Sequence, residues 1–445
     1  MGYIILITTL ILLTYKINLK KDIVILVLTF SLISPIINIG SIELDSMYIF
    51  VAYFLILTIA LKRNITINKI VLNYLGMIFI LSLIYIIAWL LKSRIDLGTM
   101  AITILGLMKV PILLILIKVN SKGLSKDLIT KKLMTFIRLG ALVNAIAIIF
   151  QIVMPIQAYN FFVNLYSSSK SAYYLQTEWN HGGFYNGKYT RYFGVFESPM
   201  LMGAFCVLAL SFLLGVYFSK DEQFKKKNLI PWMVILFISG MLSTTKTFIL
   251  MCPLSAVLLI IFMTKTNGKS LRSILVLFWI GIVSLFVIMF YEQIYLYLNK
   301  ISPTIAYRFQ YLKNPLEALS TRFGDETGFL LPTIEVIKSN IFLGVGPSSS
   351  SGEFIGDNAY VVILHHGGLF ALIVFMFYFL SLIKYIWLDN NLPALMLISS
   401  MLFMGVGLTI ILGSNLTFFV YFFILSQLNN KKLISEKEKL SIIKV

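Results

Sequence analysis

The sequence predicts an all-α, polytopic membrane protein, and three observations carry the prediction. Hydrophobic residues make up 59% of the 445, and mean hydropathy is +0.90. Runs of roughly 15 to 25 apolar residues recur along the whole chain, and lipid accepts such runs only as helices whose backbone bonds close internally. Charged residues are only 13%, about half the share usual in a soluble domain. The net charge of +18 does not point to nucleic acid, because the basic residues fall in short loops between apolar runs, the positive-inside arrangement.

In chain order, spans are expected near 2–15, 22–39, 47–61, 69–91, 99–119, 133–157, 193–218, 230–242, 246–264, 272–292, 358–383, 392–410 and 413–429. The first is short, so the count is 12 or 13. No cleavable leader is expected, since Met1 to Tyr3 carry no basic region and no small-residue cleavage site follows. Cys206 and Cys252 fall inside apolar runs and read as packing residues. The loops at 16–22, 62–69, 118–132, 220–227 and 265–272, with the C-terminal tail, are basic. Counting Lys384 and Arg138, 25 of the 37 basic residues lie on that side, which is therefore read as cytoplasmic. The KSR at 92–94 is the exception. Alternation then sets two long loops, 158–192 and 293–357, outside the cytoplasm. The chain divides into N-terminal spans (1–157), a first outer loop (158–192), central spans (193–292), a large outer loop (293–357), C-terminal spans (358–429) and a basic cytoplasmic tail (430–445).

The first outer loop holds seven tyrosines between Tyr159 and Tyr192, together with Trp179, four asparagines and a His181-Gly-Gly turn. Aromatic faces beside amides and hydroxyls suit a sugar, whose CH faces stack on rings while its OH groups find partners; Trp179 and Tyr185 are the candidates here. An aromatic belt at the lipid interface is an alternative compatible with it. The loop ends in RYFGVFESPMLMG (191–203), with Arg191 and Glu197 at the mouth of a span and Gly194, Pro199 and Gly203 permitting an irregular helix start. In the second loop Leu330, Ile334 and Ile337 fall at i, i+4, i+7, which predicts a short amphipathic helix on the outer membrane surface. A glycine-rich turn, FLGVGPSSSSGEFIG, follows, with Asp357 as the expected N-cap of the next span.

Only seven of the 37 basic residues are arginine, yet four of these (Arg94, Arg191, Arg308, Arg322) lie outside by this topology. Guanidinium offers a planar fork that grips phosphate with two bonds, so outer-face arginines suggest a phosphorylated headgroup. Interfacial anchoring is the structural alternative. Lys109 lies mid-span in GLMKVPILLIL. A charge at that depth faces a cavity or a partner; it either feels the same phosphates or pairs with a carboxylate.

Three patterns resemble the O-antigen polymerase and O-antigen ligase superfamily of bacterial envelope polysaccharide enzymes. They are Arg191-x-x-Gly194 followed by Ser198-Pro199-x-x-x-Gly203; Arg322 leading to a Leu343-Gly344-Val345-Gly346 turn; and Asp357-Asn358-x-Tyr360 with Gly368 and Ala371 beyond. The resemblance covers about residues 130 to 425. In the ligase branch a histidine commonly precedes the asparagine; Asp357 stands there instead, which favours the polymerase branch. Thr245-Lys246 occupies the place of the family's central Ser-Arg pair.

The resemblance implies a GT-C-like glycosyltransferase architecture in the cytoplasmic membrane with an extracytoplasmic site, serving envelope, capsule or exopolysaccharide synthesis. It implies glycosyl transfer between saccharides carried on polyprenyl diphosphate, with a flippase and a chain-length regulator as partners alongside membrane lipids. Arg191, Arg308, Arg322, Lys246 and Lys109 would stabilise the leaving diphosphate. Asp357, His365, His366, Glu197 or His181 would take the acceptor's proton. Successive helix positions point about 100° apart, so at most one of His365 and His366 faces a given cavity. Asn358 and Tyr360 join the sugar candidates. No cofactor is expected, and no metal, given three histidines and no cysteine cluster. The competing readings are a ligase that hands the glycan to another acceptor, a flippase for the lipid-linked saccharide, and a polymerase of the shape-and-division type.

Overall fold

The computed structural model describes residues 1–19, 21–39, 42–63, 69–92, 97–121, 125–166, 184–185, 188–189, 191–219, 226–267, 291–301, 306, 331–347 and 358–428. The chain is mostly helical. Its first part runs α1 (Gly2–Asn18), α2 (Val24–Ile33), β1 (Ile36–Ile39), β2 (Ile42–Asp45), α3 (Ser46–Ala60), α4 (Lys69–Leu91), α5 (Leu97–Asn120), α6 (Lys126–Val153) and α7 (Pro155–Leu165). A two-residue hairpin of β3 (Phe184–Tyr185) and β4 (Lys188–Tyr189) precedes α8 (Pro199–Phe218), α9 (Ile230–Leu242), α10 (Lys246–Asn267) and α11 (Tyr291–Ile301). Then come α12 (Leu331–Ser339), α13 (Ala359–Leu388), α14 (Leu392–Met404) and α15 (Phe418–Gln427).

Among the described residues six helices are long and apolar enough to cross a membrane: α4, α5, α6, α8, α10 and α13. Shorter apolar helices (α1, α2, α3, α14, α15) match other predicted spans. The span predicted at 272–292 lies outside the described residues except for its last two.

Three predicted spans are interrupted. The run 22–39 is helical only to Ile33. Ser34 precedes a proline, which disfavours helical ψ, and an antiparallel hairpin takes over with Ile36 opposite Asp45. The run 392–410 stops at Met404, and the run 413–429 becomes helical only at Phe418. Between them the backbone is irregular, with Gly413 at φ +74°. Such backbone survives at membrane depth only when protein satisfies it. Here the Thr417 hydroxyl donates to the Ile410 carbonyl at 2.8 Å, and the Tyr421 hydroxyl donates to that of Ile411.

α8 is the enclosed helix: 78% of its membrane-length window is buried, against 28% for α13. Small residues allow this, because close backbone approach is what drives helix association in lipid. A Cβ on Gly215 would stand 2.6 Å from the Pro393 backbone of α14. Deeper in the same contact the Ser211 hydroxyl meets Ser400 at 2.7 Å and Ser255 at 3.1 Å, joining α8, α14 and α10.

Charge marks one end of this array. Lys126 at the start of α6 pairs with Asp389 just past α13 at 2.7 Å, and Lys132 pairs with Asp22 at 2.9 Å. The Gln427 amide of α15 donates to the Lys126 carbonyl there. α6 and α13 are 28 and 30 residues long, about 40 Å at 1.5 Å per residue. The end of α6 and the start of α13 therefore both lie toward the opposite end, where the site candidates are found.

Candidate functional site

Two buried amides in α6 shape the first patch. Asn144 and Gln151 are seven residues apart, so they share a helix face. The Gln151 amide donates to the Gly194 carbonyl at 2.9 Å and accepts from the N–H groups of Phe193 and Gly194, each at 3.2 Å. Asn144 Oδ1 accepts from Val195 N–H at 3.3 Å. Gly194 sits at φ +57°, and a Cβ there would fall 1.6 Å from Asn144 Oδ1. The Tyr166 hydroxyl donates to the Val195 carbonyl. Burial first, and the Glu197 carboxylate second, push that phenol well up.

The 191–203 segment thus bends into α8, which Ser198 caps (Leu201 N–H to Oγ, 3.4 Å) with Pro199 at its first position. The Tyr192 N–H donates to the Leu242 carbonyl at 3.1 Å, docking the segment on the α9–α10 turn. In that turn Thr244 is at φ +49°, and the hydroxyls of Ser243 and Thr245 meet at 3.0 Å. Thr245 Oγ1 also accepts from Phe248 N–H, capping α10 just before Lys246. A Cβ on Gly203 would fall 2.2 Å from Thr245 Oγ1. The Gly203–Thr245 contact above and the Ser211–Ser255 contact below run in the same direction. So α8 and α10 lie parallel, with their N-termini side by side. Arg191, Glu197 and Lys246 flank that junction; Arg191 and Glu197 are half-buried. Paired helix N-termini concentrate positive dipole ends, which attract anions.

The second patch is a broken helix. Gly368 of α13 has φ +61° and ψ −159°, so the α-helix is interrupted there. The freed carbonyls of His365 and His366 accept from Val345 N–H (2.8 Å) and Gly346 N–H (3.1 Å). The freed N–H groups of Leu369 and Phe370 donate to the carbonyls of Ile341 (2.8 Å) and Phe342 (3.2 Å). The 341–346 turn thus replaces the missing helix bonds one for one. No side chain fits between: Cβ atoms on Gly344 and Gly368 would come within 2.5 Å of the His365 carbonyl oxygen and 2.3 Å of the Phe342 carbonyl. Gly346 in turn lies against the Trp89 backbone of α4.

His365 is fully buried. His366, edge-on to Tyr85 at 5.3 Å, lines a cavity of about 200 Å³ formed by α4, α5, α13 and the irregular 409–413 backbone. Its Nδ1 is buried and has no hydrogen-bond partner among the described residues.

Several sequence readings change here. The N-cap of α13 is Asn358, not Asp357: Asn358 Oδ1 accepts from Tyr360 and Val361 N–H at 2.9 and 3.1 Å. Its amide donates to the Val406 carbonyl, and the Tyr360 hydroxyl donates to that of Leu402. Both sugar candidates are thereby committed to the packing of α13 on α14. The amphipathic helix α12 turns its apolar face to protein, with Ile334 and Ile337 packing on Val361 and Leu364. Lys109 donates to Asp45 at 3.1 Å, with its ammonium 4.9 Å from the Tyr48 ring, so of the two alternatives the carboxylate pair is the one observed. Asp45 also accepts from Asn415 at 2.8 Å. Tyr185 is described only as backbone in β3. Arg308, Arg322, Asp357, Trp179 and His181 lie outside the described residues.

Sequence reasoning missed Asn144, Gln151, Asp45 and Asn415. The signal was present: each is a polar side chain within or beside an apolar run. Among the described residues no group of histidine, cysteine and carboxylate side chains could hold a metal.

Fold and site together define a polytopic helical membrane protein with two helix N-termini side by side, flanked by Arg191, Glu197 and Lys246, and a cavity lined in part by His366. Set against family models, curated proteins and solved structures, the chain matches none.

Proposed function

We propose that the protein is a glycosyltransferase that polymerises oligosaccharide units carried on polyprenyl diphosphate, working at the outer face of the cytoplasmic membrane. The observation that carries this reading is the paired N-termini of α8 and α10 between Arg191 and Lys246, at the end opposite the basic loops. Diphosphate is a competent leaving group, so the site's main task is to stabilise charge developing on it. Fixed donors and cations aimed at that charge do so without reorganising during the reaction.

In the step proposed, a hydroxyl of the incoming unit attacks the anomeric carbon of the growing chain, so donor and acceptor must meet at bonding distance between the two patches. The bond from that carbon to the diphosphate oxygen breaks, and polyprenyl diphosphate leaves with the electron pair. The hydroxyl proton passes to a group within hydrogen-bond reach, Glu197 or His366 among the described residues. Arg308, Arg322 and Asp357 remain candidates by resemblance.

The test is reconstitution. Purified protein in liposomes, given polyprenyl-diphosphate-linked repeat units, should build ladders of two or more units and release polyprenyl diphosphate. Arg191→Lys should lower the rate about 100-fold, the scale of one lost oriented donor. Transfer only to a different lipid or protein acceptor would show a ligase, and net movement of intact substrate between leaflets would show a flippase. Either result overturns the proposal.

A further inference from the structure

The His366 cavity has a chemistry different from that of the α8–α10 junction. Its polar lining is neutral: the imidazole of His366, the hydroxyls of Thr103 and Thr409, and Tyr85. Gly106 and Gly413 bring backbone to its wall, with a Cβ on Gly413 only 2.8 Å from the Gly106 carbonyl oxygen. The nearest strong charge deeper in α5, Lys109, is neutralised by Asp45. Among the described residues this lining has no charged side chain to balance a phosphate or carboxylate, and burying an unpaired charge is costly. A hydroxyl-bearing neutral group would instead meet the His366 imidazole, the Thr409 hydroxyl and that of Thr103, which donates to the Thr99 carbonyl at 2.8 Å and can still accept. The volume, about 200 Å³, is on the scale of a single pyranose ring and well short of a disaccharide with its lipid.

We infer that this cavity seats one uncharged sugar of the acceptor, with its hydroxyl against the His366 imidazole, while the diphosphate of the donor is held at the α8–α10 junction. This rests on the function proposed above. The break at Gly368 lies two residues from His366 and frees its carbonyl for the 341–346 turn, which braces that part of α13. A continuous helix would bond the His365 and His366 carbonyls within α13 and leave no place for the 341–346 turn that fixes the second turn of that helix.

The experiment uses the full-length protein in liposomes with defined polyprenyl-diphosphate-linked repeat units. A Thr103→Cys variant is treated with a small maleimide, with and without those units. Protection of the introduced thiol by a unit ending in a neutral sugar, and no protection by one ending in a uronic acid, supports the inference. Equal labelling with and without every unit overturns it. Kinetics supply a second reading that survives a poorly folded variant. His366→Gln and Thr409→Val should raise the KM for the acceptor at least fivefold, with little change in the KM for the donor. Unchanged acceptor KM in both variants overturns the seat while leaving polymerisation intact. A wild-type protein that makes no polymer removes the function itself, so the two failures are distinct.

Discussion

Lys109 sits twelve residues into α5, about 18 Å from its start, and its ammonium answers to Asp45 at 3.1 Å. At that depth an unpaired charge is far more costly than a missing pair. Lys109→Met alone should destabilise the protein by about 3 kcal/mol because it strands the Asp45 charge, while Lys109→Met with Asp45→Asn should recover most of that loss, since asparagine can keep the N-cap bond to Met47 and a bond to Asn415. Thermal unfolding in detergent across the four variants measures it, and additive losses would show that the pair is not coupled. Gly194 obeys a different constraint. With φ +57° and Asn144 Oδ1 where a Cβ would go, Gly194→Ala should unseat the 193–195 backbone and abolish activity. Truncating Asn144 should not rescue it, because the left-handed backbone remains. At this scale the sequence was legible in part. Polar residues inside apolar runs announce a role, but a lysine reads the same whether it awaits a phosphate or already has a carboxylate. The partner came from a hairpin 64 residues away, which periodicity cannot pair.

α13 reads as one span in the sequence, and by its ends it is. What the sequence did not reveal is that the helix stops and restarts at Gly368. Adjacent glycines at 367–368 are compatible with a break, but only the 341–346 turn, with its own glycines at φ +67° and +76°, makes the break stable. The same applies to the 405–417 stretch, whose hydropathy reads as helix while its backbone is held irregular by Thr417 and Tyr421. Hydropathy reports what lipid tolerates and is blind to backbone that protein satisfies. Gly368→Ala should therefore cost activity about tenfold through misplacement of His366, beyond any loss of stability. Gly76→Ala in α4 is the control, since a Cβ there meets nothing within 4 Å and should leave activity unchanged. Equal activity of the two variants would show that the break does not position the site.

Across the whole molecule, both patches lie at the end away from the Lys126–Asp389 and Lys132–Asp22 pairs. The start of α6 and the ends of α13 and α15 gather at the end those pairs mark. If the basic loops face the cytoplasm, a cysteine at the exposed position 339 should react from outside intact cells, and one at the exposed position 125 only after permeabilisation. The fold class and the 191–203 segment were legible because each is written in contiguous residues. The junction of α8 with α10 was not, because it joins residues more than forty positions apart through a glycine and a threonine.

The most direct test of the account is reconstituted transfer by the purified protein from polyprenyl-diphosphate-linked repeat units. The account predicts a ladder of polymer with stoichiometric release of polyprenyl diphosphate, lost when Arg191 is replaced. Persistence of single units with no diphosphate released, under conditions where the protein is folded and membrane-inserted, would contradict it.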